Sequence, residues 1–99
     1  MKTTPFDEAN YIETVEDVRA YLDVVLEEND LAALYEAIGT VARSKGMTMI
    51  SRETGLSRES LYKSLREDGN PSFATVCKVL DALGLRLSVA PKDAHLTMA

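Results

Sequence analysis

One glycine does most to limit what this chain can fold into. Gly55 lies inside Met47–Gly84, between two short stretches with helical spacing of apolar residues, in the run Thr54-Gly55-Leu56-Ser57. Glycine enters the left-handed region without a Cβ penalty, so it ends one helix and redirects the chain. Ser57 then stands where a hydroxyl can accept a hydrogen bond from an open N–H at the next helix start. Helix, glycine turn and capped second helix together predict a helix-turn-helix, whose second helix reads the major groove of DNA.

The rest of the chain fits helices around that unit. Thr14 caps a first amphipathic helix to Glu28, with Val15, Val18, Leu22, Val25 and Leu26 on one face and Glu16 and Asp17 at the positive end of its dipole. Asp30 caps a second, from Leu31 to about Ser44, with Leu31, Leu34, Ile38 and Val41 inward and Gly46 closing it. Thr48–Thr54 is the first helix of the motif. Its second helix runs from Ser57 to about Glu67, with Leu61 and Leu65 one turn apart and inward. That leaves Glu59, Lys63 and Arg66 outward, flanked by Ser60 and Tyr62, with Arg58 at the helix start. After the turn formers Asp68-Gly69-Asn70-Pro71, Ser72 caps a last helix with Phe73, Val76, Val79, Leu80 and Leu83 inward and Gly84 ending it.

From Leu85 the period changes. Leu85, Leu87 and Val89 alternate with Arg86 and Ser88, the pattern of a strand, and Pro91 stops it. A lone strand needs a partner, and no other part of the chain reads as one, so the expected partner is a second subunit or another protein. The fold class is therefore all-α: a small helical bundle with a helix-turn-helix and a short C-terminal strand used in dimer pairing. Residues 1–13 read as an arm, with Phe6, Tyr11 and Ile12 able to dock on the body. Residues 14–90 read as the DNA-binding domain (14–45 acidic helices, 47–84 motif, 85–90 strand) and 91–99 as a tail.

Charge divides the chain in two. Residues 1–30 carry two bases against nine acids, net −7, whereas residues 43–66 carry six bases against two acids, net +4. Such asymmetry predicts two surfaces with two partners, although both are also what ordinary solvated helix faces look like. On the basic side, Arg58, Lys63 and Arg66 suit phosphates or guanine edges, and Glu59 suits cytosine. Thr48 and Ser57 suit phosphate anchoring. On the acidic side Glu16, Asp17, Asp23, Glu27 and Glu28 suit a basic protein. The single cysteine, Cys77, reads as a packed hydrophobe and fits a reducing cytoplasm; the single histidine, His95, lies in the tail. No cysteine–histidine cluster, glycine-rich phosphate loop or paired carboxylate is visible, so neither an enzyme nor a metal or other cofactor is expected. Apolar runs too short to cross a bilayer, and a start without a basic-then-apolar leader, predict a cytoplasmic protein with no membrane partner and no small-molecule substrate.

The run Thr54-Gly55-Leu56-Ser57-Arg58-Glu59-Ser60-Leu61-Tyr62-Lys63, followed by Gly69-Asn70-Pro71 and Ala82-Leu83-Gly84-Leu85, resembles the addiction-module antidote (antitoxin) proteins, which carry a Cro-like, phage-repressor-type helix-turn-helix. Tyr21-Leu22, Leu26-Glu27, Asp30, Ala37 and Ala42-Arg43 also match, so the resemblance spans about residues 15–90. It implies a homodimer encoded beside a small basic toxin of the RelE/ParE-like superfamily. Such a protein neutralises the toxin and represses its own operon through operator DNA. It also implies a reading helix that starts at Ser57, with Arg58, Glu59, Ser60, Tyr62 and Lys63 as its groove-facing residues. Three departures stand out: a short Gly46–Gly55 segment, a Leu61–Leu65 spacing one residue longer than usual in phage repressors, and Met49 and Ser51 where the family commonly has glutamine and alanine. The alternatives are a helical protein-interaction module that does not read DNA, and a stand-alone phage-type regulator without a toxin.

Overall fold

A computed structural model of the chain describes residues 14–92, so the expected arm (Phe6, Tyr11, Ile12) and the end of the tail with His95 lie outside the described residues. Among the described residues five α-helices follow one another: α1 (Val15–Glu27), α2 (Leu31–Lys45), α3 (Met47–Thr54), α4 (Arg58–Ser64) and α5 (Phe73–Ala82). Their starts are fixed by side chains that satisfy open N–H groups. The Thr14 hydroxyl accepts from the Asp17 N–H at 3.0 Å while the Asp17 carboxylate accepts from the Thr14 N–H at 3.0 Å, a reciprocal capping box. Asp30 accepts from Ala33 N–H, Ser57 from Ser60 N–H and Ser72 from Thr75 N–H, at 3.0–3.1 Å.

Helix α2 is the centre of the packing and touches α1, α3 and α4; α3 in turn packs on α4 and α5. The core draws on every helix: Val18 and Leu22 from α1, Ile38 and Val41 from α2, Ile50 from α3, Leu61 from α4 and Val79 and Leu80 from α5. Leu65 and Leu83, just past the ends of α4 and α5, join them. Each such aliphatic side chain removed from water stabilises the fold by about 1.5–3 kcal/mol, so the unit is held mainly by apolar contact between helices. At Gly39 the chain comes closest to itself. A Cβ there would collide with the backbone carbonyl of Leu65, so only a glycine lets α2 seat the end of α4.

The helices depart from expectation in three places. Helix α4 stops at Ser64 rather than near Glu67; Leu65 leaves helical geometry at φ −98°, ψ 64° yet stays fully buried against α2. The exit is tied down when the Glu67 N–H donates to the Glu36 carboxylate at 3.0 Å. Four residues expected on inward faces are exposed: Val15 at 48%, Leu26 at 49%, Leu31 at 62% and Phe73 at 73%. Val15, Leu31 and Phe73 each stand at the first position of their helices.

The third departure is the C-terminal strand expected over 85–90. No strand is present among the described residues. Helix α5 ends in a Schellman arrangement, with Leu85 N–H donating to Leu80 carbonyl at 2.8 Å and Gly84 N–H to Asp81 carbonyl at 3.0 Å. The chain then runs on without regular structure. Leu85 packs against the core, but Leu87 and Val89 are exposed. A period-two pattern supplies side chains for a strand but not the second backbone that makes a ladder, and the described residues have none to offer.

Candidate nucleic-acid interface

The turn between α3 and α4 is built by side chains on both sides of Gly55. Gly55 sits at φ 78°, ψ 8°, where any other residue would be strained. The Thr54 hydroxyl is buried; it donates to the Ile50 carbonyl at 2.7 Å and accepts from the Leu56 N–H at 3.2 Å. The Ser51 hydroxyl donates to the Leu56 carbonyl at 2.5 Å. Both backbone groups of Leu56 are thereby held from α3, which fixes where Ser57 begins α4. Through that hydrogen bond Ser51, where the family commonly has alanine, braces the turn. Thr54 carried no expectation, though a threonine just before the turn glycine is a signal that could have marked it.

Leu61 and Leu65 anchor α4 from behind, both fully buried. On the other side Arg58, Glu59, Ser60, Tyr62 and Lys63 are all exposed, and no described part of the chain covers them. Ser57 is exposed with its hydroxyl engaged as the cap, and Thr48 is exposed on the first turn of α3. Arg66 lies past the end of α4 and pairs with Asp68 at 2.9 Å, so it is turned toward its own loop. Arg52, one helical turn after Thr48, is exposed and was not singled out; the four-residue spacing that puts both on one face is the signal that could have found it. Arg52, Arg58 and Lys63 form no ion pair with any described residue.

The acidic residues assigned to a protein partner are arranged differently. Asp17 is half-buried and spent in the capping box. Arg19 pairs with Glu16 at 2.6 Å and lies 3.9 Å from Asp23, so one guanidinium offsets two carboxylates. Glu27 and Glu28, at the far end of α1, are exposed and outside any ion pair among the described residues. Around the corner, a groove between α1 and α2 of about 730 Å³ has Tyr21, Val24 and Ala37 in its walls and Glu28, Asp30, Glu36 and Glu67 beside them. Of the residues assigned to dimer pairing, Leu85 is half-buried and Leu87 and Val89 are exposed beside Phe73.

Among the described residues no group of three histidine, cysteine or carboxylate side chains could hold a metal ion. No described helix is long and apolar enough to cross a membrane.

A family model described as "Probable addiction module antidote protein" matches residues 2–91, nearly the whole chain. The chain belongs to that antidote family. An uncharacterised protein of Haemophilus influenzae is 43% identical over 84 residues, which cover 85% of this chain and 87% of that one. No solved structure matches. Membership makes the protein an antitoxin of a toxin–antitoxin system and implies a toxin as its partner. The antidote's two surfaces, one acidic on α1 and one basic on α3 and α4, can be weighed against that role.

Proposed function

We propose that this antidote neutralises a small basic toxin of the RelE/ParE-like kind and represses its own operon, binding operator DNA as a two-fold dimer through the helix-turn-helix formed by α3, Gly55 and α4. The observation that carries the DNA half is the exposed side of α4. Arg58 and Lys63 stand there without intramolecular ion pairs while Leu61 and Leu65 hold the helix from behind. A cation already paired must give up its partner before meeting a phosphate; these need not. Arg58 suits a bidentate guanine contact or a phosphate, Lys63 a phosphate or guanine edge, and Glu59 would reject misplaced backbone while accepting from cytosine. Tyr62 and Ser60 flank them, and Thr48 and Arg52 are exposed on the neighbouring α3. One such unit makes few contacts, so two copies spaced about 34 Å along the duplex roughly double them.

The acid on α1 supports the toxin half. A toxin that handles RNA presents a basic surface, and Glu27 and Glu28 are the carboxylates of that helix left free to meet it. The antidote acts by covering surfaces, not by chemistry of its own.

Anisotropy titration against the DNA upstream of its own gene tests the reading. Saturable binding that weakens steeply with salt, and is lost in Arg58→Ala/Lys63→Ala, is expected. Unchanged binding in that double variant would mean α4 does not read the duplex. A second reading, a toxin-binding module that does not touch DNA, is favoured by the formal net charge of −5. No binding by the unmodified protein at low salt would select it.

A further inference from the structure

Along α5, Phe73, Cys77 and Asp81 recur every four residues and so share one face. After the Schellman reversal the segment Leu85–Val89 comes back beside that face, and the two enclose an open, mainly apolar groove of about 680 Å³. Leu85 pins the segment to the core, whereas Phe73 and Val89 are 73% and 98% exposed. An aromatic ring and two aliphatic side chains left together in water mark an interaction surface. The backbone of residues 86–90 makes no hydrogen bond to any described residue, so the segment also presents an open edge.

The rim says what fits. It carries one acid, Asp81, and one base, Arg86, both exposed and neither in an ion pair with a described residue. A nucleic acid would be repelled by Asp81 and find only Arg86, and a basic protein would meet Arg86 as a repulsion. A surface with one charge of each sign around an apolar centre is complementary to itself under a two-fold rotation, where residue i meets j and j meets i.

We propose that this groove is where a second copy of the chain docks. Phe73, Leu87 and Val89 form the buried centre, and Asp81 of each copy pairs with Arg86 of the other, so the ion pair is made twice. The inference rests on the dimer in the proposed function and says which surface builds it.

Sedimentation equilibrium on the full chain over a micromolar range tests it, with circular dichroism confirming that each variant is folded. Phe73→Glu should raise the dimer dissociation constant by more than about 100-fold. Asp81→Arg and Arg86→Asp should each raise it by roughly tenfold, because each places like charges together twice, and the double swap should restore it. A dimeric parent indifferent to all of these overturns this surface and leaves the two-fold reading standing. A monomeric parent overturns both. Single swaps that weaken the dimer without rescue by the double swap overturn the rim pairing. Phe73→Glu that loses the toxin while the dimer persists would assign the groove to the toxin instead.

Discussion

The acidic helix α1 and the basic surface of α3 and α4 look like mirror images when charges are counted along the chain, but they are unlike in space. On α1, Asp17 is consumed by the cap, and Arg19 lies against both Glu16 and Asp23. Of five acids assigned to a partner, only Glu27 and Glu28 are left without a described counter-charge. On α3 and α4, Arg52, Arg58 and Lys63 have no such neighbour; elsewhere in the basic stretch Arg43 lies 3.7 Å from Glu36, and Arg66, past the end of α4, is taken up by Asp68. Formal charge and available charge are different quantities. A partner feels the second, because it must displace whatever already sits on a side chain before making its own contact.

The hardest blow to that contrast falls on Gly39. Gly39→Val would drive a side chain into the Leu65 carbonyl and lift the end of α4 off α2. Urea unfolding should show a loss of about 2–4 kcal/mol. If the variant instead matches the parent, the close approach of α2 and α4 is not what seats the basic face.

Removing charge from the basic side should come next. Arg58→Ala and Lys63→Ala should each weaken operator binding by about 1–3 kcal/mol if they touch a base edge. If they touch only phosphate, each should reduce the salt slope of log K by about one. Arg66→Ala should do less, since its guanidinium is engaged by Asp68. An Arg66 effect as large as that of Lys63 would invalidate the distinction between free and engaged cations.

On the acidic side, Glu27→Lys/Glu28→Lys should slow association with the toxin and raise its Kd, an effect of roughly 1–2 kcal/mol that shrinks as salt is added. Glu16→Gln should have little effect in the same surface-plasmon measurement. Equal losses from both would show that the Arg19 pairs do not withhold charge. The smallest change is the most discriminating. Arg19→Ala should alter stability by less than about 0.5 kcal/mol, as exposed pairs do, yet strengthen toxin binding at low salt by releasing Glu16 and Asp23. A weaker complex would reverse the sign of the argument.

The starts of the helices were legible because Thr14, Asp30, Ser57 and Ser72 each carry an oxygen that does one local job. Ends that depend on distant residues were not. Helix α4 stops at Ser64 because Leu65 is drawn onto Gly39, twenty-six positions earlier, and no local pattern records that. The alternation from Leu85 to Val89 was read as a strand because side-chain period is local, while pairing is a property of two backbones. Phe73 was placed inward by spacing alone, although at the first position of α5 nothing packs over it. For the candidate interface, sequence found the α4 residues on one exposed side. It missed Arg52, and it included Arg66 without foreseeing Asp68 as its neighbour.

The contact at Gly39 also bears on how this protein can change over generations. Helix α2 meets the backbone of Leu65 with no side chain between them, so that codon has no conservative alternative even in alanine. Its freedom to drift is far narrower than that of any exposed arginine nearby. A library randomised at that one codon, grown under induction of the toxin gene, should return glycine almost alone, while the same library at Arg52 should return a broad mixture.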